Sequence, residues 1–199
     1  MSVAGWAVFA SFWVVFVVTP GPNHANCIDT GMRHGFRRGL WGVAAILVQA
    51  TLFLIGAAAG VGAVLQGAPE LAAALRLAGA AVLAGLGLRM IWQADRPVRA
   101  GAGAGSIFGR AFLIATFNAK SVAGYLAAFS LFVEPGRPIG DQMWVILPTA
   151  LSITALSYYA YTALGAWLGR LALGAVLNVW FRRVMGVCFV LYGAVLALV

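Results

Sequence analysis

Five consecutive residues near the amino terminus, Thr19-Pro20-Gly21-Pro22-Asn23, have types that could hold a small solute inside an apolar run. The two prolines remove two amide donors, and each favours extended backbone in the residue before it, so we expect a helix to break here. Backbone groups released inside a membrane must line a cavity or find partners within the protein. A tolerated kink is the alternative, but the whole pentad, followed by His24 and Asn26, favours a functional break.

A lysine in a second apolar run is another candidate. Lys120 follows Asn118 and Ala119, ten residues after Arg110. At about 1.5 Å per residue, this spacing places it roughly 15 Å deep in a hydrocarbon core about 30 Å thick. Burying the charge costs on the order of 3 kcal/mol on insertion scales, so Lys120 should face the bundle interior with a partner. A lysine that snorkels to the cytoplasmic surface, or forms a structural pair, is the alternative.

Hydroxyl side chains form a third group, in one apolar run of the carboxyl-terminal half. Thr154, Ser157, Tyr158 and Tyr161 recur at helical spacing and therefore share one face of a helix. They could line a solute pathway. Alternatively, they could close hydrogen bonds within the bundle, which is the more common use of hydroxyl groups in membrane helices.

Two titratable residues near the break are candidates for carrying a proton. His24 titrates near neutral pH as a free side chain, and Asp29 is the acid nearest to the pentad. The simpler roles are a packed histidine and an i,i+4 ion pair between Asp29 and Arg33. Cys27 and Cys188 lie far apart without a CxxC motif, and no metal or nucleotide motif occurs. We therefore expect no metal, no cofactor and no cysteine chemistry.

The elements that position these residues are apolar runs of membrane-spanning length. Of the 199 residues, 63% are hydrophobic and 9% are charged, and the mean hydropathy is +0.96. This composition excludes a soluble globular protein, in which about 25% of residues are charged. At about 20 apolar residues for each crossing, the chain fits one all-α membrane domain, 1–199, with six transmembrane helices. We predict these helices at about 3–31, 40–66, 71–92, 108–133, 143–168 and 180–199.

Basic residues between the runs predict the orientation, because cytoplasmic connections retain arginine and lysine. The first, third and fifth connections hold ten of the 13 basic residues and the other two connections hold two, so both termini should lie outside. Three helices then precede the Gly/Ala-rich segment 99–106 and three follow in the opposite orientation, which favours two inverted three-helix repeats. This topology accounts for the net charge of +8, and the dispersed arginines do not indicate nucleic-acid binding.

With these features the chain resembles the lysine exporter (LysE/RhtB) family of bacterial amino acid efflux proteins, nearly from end to end. The resemblance rests on the pentad 19–23 and on four further motifs: Gly31-Met32-Arg33-His34-Gly35, Leu75-Arg76-Leu77-Ala78-Gly79, Asn118-Ala119-Lys120 and Arg182-Arg183. It implies a secondary transporter, not an enzyme, that exports amino acids or related zwitterionic metabolites across the bacterial inner membrane, coupled to protons, with both termini periplasmic. Members usually carry Asn-Pro-Lys, so Ala119 favours an unbroken fourth helix and an atypical substrate.

On this interpretation the amides of the break and Lys120 hold a substrate carboxylate, while carbonyl groups with Asn23 or Asn118 hold its amine. The expected partners are an amino acid, protons and the lipid bilayer, and a homodimer is compatible with the sequence. Three alternatives stay open: a thiol/disulfide electron carrier that needs Cys27 and Cys188 to meet, a non-transporting assembly subunit, and a passive channel. The sequence does not identify the exported metabolite or the coupling ion.

Overall fold

The structure, a computed structural model, describes residues 3–19, 21–60, 69–95, 103–118, 120–121, 124–125, 128, 132–133, 137–171 and 174–198. In chain order we name the helices α1 (Val3–Val18), α2 (Pro22–Ala58), α3 (Pro69–Trp92), α4 (Ala104–Thr116), α5 (Ile139–Leu168) and α6 (Gly174–Leu198). Lys120, Ser121, Gly124, Tyr125, Ala128 and Phe132 are helical as well. The described residues contain no strand, which confirms the all-α prediction.

The predicted break in the first helix is present. α1 ends at Val18 and α2 begins at Pro22, where a missing amide hydrogen is no loss because the first amides of a helix have no partner in the helix. Gly21, which precedes α2, has extended backbone with φ −174° and ψ −174°. The span predicted at 3–31, with its break at the pentad, thus consists of α1 and the first part of α2. Pro20 lies outside the described residues.

The second helix turns back on itself at Gly35, which divides it into segments 22–34 and 36–58. Gly35 has φ 77° and ψ 171°, a conformation that side chains with a Cβ rarely adopt. A methyl group at Gly39 would lie 3.9 Å from Gly31 Cα, and one at Gly42 would lie 3.9 Å from Asn26 Nδ2. These contacts show that the two segments pack against each other. The connection between the predicted helices 3–31 and 40–66 is therefore a tight turn at Gly35.

A second break separates α4 from Lys120. Thr116 is the last residue of α4, Phe117 forms a turn and Asn118 is not helical. The amide of Asn118 donates to the Ala115 carbonyl at 3.4 Å, so the last turn tightens and ends without a proline. This corrects the expectation of an unbroken helix over 108–133. Ala119 itself lies outside the described residues.

Glycines allow two helix pairs to approach closely. In the pair α2 and α5, a methyl group at Gly169 would lie 2.6 Å from the Met32 carbonyl oxygen, and one at Gly165 would overlap the Ile28 backbone. In the pair α3 and α6, a methyl group at Gly186 would lie 2.7 Å from the Gly87 carbonyl oxygen. Contacts between small residues let helix backbones meet inside a membrane. The Gly165xxxGly169 motif therefore serves packing within this chain.

The core and the surface both agree with a membrane protein. The main apolar cluster joins α1, both segments of α2, α5 and the helical residues after Lys120; among its members are Phe9, Trp13, Val43, Ile46, Tyr125 and Tyr158. Large apolar side chains are also exposed, such as Leu156 at 72% and Trp144 at 82%. Among the described helices, Pro22–Ala58 and Ile139–Leu168 are long and apolar enough to cross a membrane, while Val3–Val18 and Ala104–Thr116 are shorter apolar helices.

Candidate functional site

The break after α1 exposes backbone carbonyl groups that no following turn of helix can bond. Side chains contact these carbonyl groups instead. The Tyr161 hydroxyl donates to the Val18 carbonyl at 3.1 Å, His24 Nε2 lies 2.5 Å from the Val17 carbonyl oxygen, and the Lys120 ammonium donates to the Thr19 carbonyl. These three carbonyls thus have side-chain partners within the protein.

Lys120 lies across the break. Its Nζ is 5.2 Å from the centroid of the Phe16 ring, a cation–π distance, and its Cδ would lie 3.4 Å from a methyl group at Gly21. Gly124, one turn further along, leaves the space in which the Phe16 ring packs. The side chain is half-buried. The structure therefore brings Lys120 to the pentad, with the α1 terminus as its partner.

A buried polar group continues the site into the bundle. Asn23 Nδ2 donates to the Tyr158 hydroxyl at 3.4 Å, and the His24 ring contacts the rings of Tyr158 and Tyr161 at centroid distances of 5.0 and 4.5 Å. Asn23 and His24 are only 2% and 3% exposed. Within the described part of the chain, Asn23 Oδ1 and His24 Nδ1 have no hydrogen-bond partner. Such unpartnered buried atoms are uncommon and can receive a polar group of a solute.

The remaining predicted site residues lie around this group. Thr154 is buried and accepts a hydrogen bond from Trp13 Nε1 at 3.0 Å, which explains why a tryptophan lies so deep in α1. Ser157 is half-buried, and its hydroxyl has no partner among the residues described. Asn118 is buried just after the end of α4. The site therefore consists mainly of Thr19, Gly21, Asn23, His24, Lys120, Tyr158 and Tyr161, with Thr154, Ser157 and Asn118 nearby.

Asp29 belongs to a second polar region, in which the sequence predicted Arg33 as its partner but neither Arg110 nor Arg182. Its carboxylate is fully buried and accepts a hydrogen bond from Arg110 Nη1 at 2.9 Å. Arg33 Nη1 lies 3.7 Å from Oδ2, which confirms the i,i+4 pair, and Arg182 Nε lies 3.7 Å from Oδ1. We call these four residues the arginine cluster. One signal was available, since Asp29 is the only acid in the first 69 residues.

A cavity of about 370 Å³ lies beside the arginine cluster. It is bounded by the end of the 22–34 segment, the end of α3, the first half of α4 and the amino-terminal part of α6. The lining residues are Thr30, Arg33, His34, Arg89, Met90, Gln93, Ser106, Ile107, Arg110, Leu113 and Arg182. Four of these lining residues are arginines, namely Arg33, Arg89, Arg110 and Arg182.

Cysteine and metal chemistry receive no support from the geometry. Cys27 is buried, Cys188 is exposed, and both are free thiols, so the thiol/disulfide alternative lacks an apposed pair. In the ranges that the structure covers, no group of three or more His, Cys, Asp or Glu side chains could hold a metal ion.

Comparisons with known proteins match almost the whole chain. A family model described as LysE type translocator matches residues 14–199. A leucine efflux protein of Enterobacter sp. (strain 638) is 28% identical over 159 residues, which are 77% of this chain and 74% of that protein. An uncharacterized membrane protein of Pseudomonas aeruginosa is 30% identical over 187 residues, 86% of this chain and 83% of its own.

A homoserine/homoserine lactone efflux protein of Salmonella typhimurium is 23% identical over 202 aligned residues, which cover 99% of this chain and 98% of that protein. No solved structure is significantly similar to this chain.

Proposed function

The chain belongs to the LysE type translocator family, and on this premise we propose that it exports amino acids or related small zwitterionic metabolites across the bacterial inner membrane. Membership of a translocator family confirms the prediction that the protein is a transporter and not an enzyme. Two relatives named for efflux of leucine and of homoserine support an amino acid substrate. One structural observation carries the proposal, namely a helix break in the bundle whose carbonyl groups are bonded by exchangeable side chains.

Substrate binding follows from an exchange of partners at the break. The ammonium group of Lys120 donates to the Thr19 carbonyl. A substrate amine has the same charge and the same donors, so it can replace Lys120 there. Lys120 is then free to turn to the substrate carboxylate, with the α2 amino terminus and Asn23 nearby. One exchange thus provides a partner for each charge of a zwitterion.

For coupling to protons, the geometry favours His24 over Asp29. The His24 ring is buried at the break, and its Nδ1 has no partner among the described residues. A proton gained or lost there changes the charge beside Lys120 and beside the last carbonyls of α1. Asp29 lies one to two turns away and is surrounded by three arginines. We assign Asp29 the role of holding the arginine cluster together.

Alternating access in this proposal moves one three-helix half against the other, with six transmembrane helices and both termini in the periplasm. The two breaks support related halves, since one follows α1 and the other follows α4. Lys120, just after the second break, contacts the first break directly. A rocking motion of the halves would therefore change the site itself. Cysteine accessibility labelling tests the orientation, and a tag after Val199 that is protected from outside reagent would overturn it.

Transport is tested in proteoliposomes that contain the purified protein and labelled leucine or homoserine. The expected result is protein-dependent flux that accelerates when a pH gradient is imposed and saturates with substrate. Flux that is insensitive to the gradient and does not saturate would instead indicate a passive channel. Absence of flux for a panel of amino acids would contradict the export proposal.

The role of Lys120 is tested by Lys120→Met, which keeps the length of the side chain and removes its charge. We expect flux to fall at least about tenfold, since one charge-assisted hydrogen bond to the substrate is lost. Insertion and folding should become easier, because an intramembrane charge is removed. Arg38→Met is the matched control, since Arg38 is an exposed cation outside the site. Equal flux in Lys120→Met and the parent would remove this lysine from the binding site.

A further inference from the structure

The cavity beside the arginine cluster has an excess of positive charge that the protein does not neutralise. Arg33, Arg89, Arg110 and Arg182 line it. The described lining residues include no Asp or Glu, and Asp29 behind the wall supplies one carboxylate for three of these arginines. The nearby acid Asp95 is bonded to Arg183 at 2.6 Å. Among the described residues, the four lining arginines thus have no acid in the lining and one carboxylate, that of Asp29, in direct contact with three of them.

Several guanidinium donors are also left without acceptors. In the described structure, Arg33 Nε, Arg110 Nη2 and Arg182 Nε are buried atoms with no hydrogen-bond partner. The acceptor Asp29 Oδ1 has none either, and it lies 3.7 Å from Arg182 Nε, beyond hydrogen-bond distance. Arg182 is only 3% exposed, and its position is fixed because Nη1 donates to the Ala94 carbonyl at 2.9 Å. Burying a charged donor without an acceptor is costly, so an acceptor group is expected to complete such a site. Guanidinium groups match the planar, bidentate geometry of carboxylate and phosphate oxygens.

We propose that this cavity binds an oxyanion, which is the carboxylate or phosphate group of a small solute or the phosphate of an anionic lipid. Its volume of about 370 Å³ lies within the range of small-molecule sites, about 300–1,000 Å³. The site differs from the break, because it uses guanidinium groups of α2, α3, α4 and α6 where the break uses carbonyl groups and Lys120. The inference does not depend on transport, so a protein that moved no amino acid could still bind the anion.

Anion binding is measured as a rise in the thermal unfolding midpoint of the protein in zwitterionic phosphatidylcholine nanodiscs. Phosphate, acetate and N-acetyl-leucine are titrated against chloride at constant ionic strength, and leucine amide serves as a ligand without a carboxylate. A saturable rise with the oxyanions and none with leucine amide supports the site. No saturable rise with any oxyanion would overturn the proposal, unless the lipid described next occupies the cavity.

Nanodiscs that contain phosphatidylglycerol distinguish the two sources of the oxyanion. If the lipid phosphate is the occupant, phosphatidylglycerol raises the unfolding midpoint of the parent protein and removes its response to soluble anions. If a soluble anion is the occupant, its response is the same in both lipids. Both results support the cavity as an oxyanion site, and a protein that responds to neither lipid nor soluble anion contradicts it.

Substitutions in the lining test whether the rise in unfolding midpoint with oxyanions arises from this cavity. Arg89→Gln is the first choice, because Arg89 is an exposed lining residue whose loss should leave the fold intact. Its apparent affinity for the oxyanion should fall about tenfold, as expected for one lost charge-assisted hydrogen bond. Arg37→Gln, on the same end of the bundle but outside the lining, should match the parent. An equal response in Arg89→Gln and Arg37→Gln would overturn the assignment.

Ser106→Asp provides a second test that does not remove a cation. Ser106 is an exposed residue in the first turn of α4 and lines the cavity. A carboxylate there is compatible with a helix amino terminus and would occupy the site from within the chain. We expect the variant to unfold at a higher temperature than the parent without added anion and to lose the anion response. A variant that keeps the full response would contradict the proposal.

Discussion

The break at 19–23 and the arginine cluster are both polar regions inside an apolar bundle, but they satisfy their polar groups differently. At the break, the three released carbonyls of α1 are bonded by side chains of this chain. At the cluster, three arginines share one buried carboxylate, and several donors lack acceptors in the described structure. Within the described structure, the atoms without partners at the break are Asn23 Oδ1 and His24 Nδ1, whereas at the cluster most of them are guanidinium donors.

This difference teaches how each region can bind a solute. An amine that binds the Thr19 carbonyl must displace Lys120, so binding there is an exchange that can be linked to movement of the helices. A ligand at the cluster fills vacant donor positions, so binding there needs no rearrangement. Of the following substitutions, the first alters the cluster, the second alters the break, and the third alters neither region.

The largest effect is expected for Asp29→Asn. The substitution leaves the buried Arg182 and the partly buried Arg33 and Arg110 without their counter-charge. Breaking a buried ion pair typically costs about 3–5 kcal/mol in the free energy of unfolding. Phosphate should restore part of the lost thermal stability, because it supplies the missing negative charge. The measurement is thermal unfolding in detergent, with Asp141→Asn at an exposed residue as the control. If both variants unfold like the parent, charge balance does not govern the cluster.

An intermediate effect is expected for Tyr161→Phe, which removes the donor to the Val18 carbonyl and nothing else from the break. An unpaired carbonyl inside the bundle should lower stability by about 1 kcal/mol and weaken substrate binding several-fold. The neighbouring Tyr159→Phe is a matched control, because Tyr159 is 41% exposed. Detergent unfolding and concentration-dependent flux are measured on the same preparations. Equal behaviour of the two variants would mean that the α1 terminus does not need Tyr161.

The smallest effect is expected when Cys27→Ala and Cys188→Ser are combined. Cys27 lies on α2 between the break and the cluster, and its thiol is free. The helix backbone holds the two regions apart, so loss of the thiol should alter neither region. Flux and the anion response should both remain within about twofold of the parent, with a small loss of stability from the buried thiol. Loss of flux in a normally folded double variant would revive the thiol/disulfide alternative.

Much of the fold could be predicted because membrane chains obey strong local rules. Apolar runs of spanning length indicated the helices, and the prolines of the pentad indicated where the first helix stops. The boundaries were less predictable. Gly35 closes a tight turn inside α2, and α4 ends at Thr116 although Ala119 replaces the family's proline. Both features depend on whether a few residues continue or interrupt the hydrogen bonds of a helix. The amino-acid composition does not determine this.

The candidate site was predicted in part for the same reason. The pentad, Lys120 and the hydroxyl face stood out because polar groups are costly in an apolar run. In the structure, Tyr158 and Lys120 contact the pentad, and Tyr161 bonds the residue before it, Val18. The sequence does not predict the arginine cluster, because its arginines occupy positions expected of the charges that flank cytoplasmic connections. Nothing in their spacing shows that Arg110 and Arg182 reach a carboxylate 81 and 153 positions away.

By itself, the sequence determined that this protein is an all-helical membrane protein with a broken first helix, because burial of apolar residues and loss of amide donors act locally. Only the tertiary structure decided which polar groups satisfy one another. Lys120 bonds the end of α1 and not another charge, and Asp29 gathers arginines from three helices. These pairings depend on close helix approach at residues such as Gly165 and Gly169, and distances between helices are a property of packing rather than of any single segment.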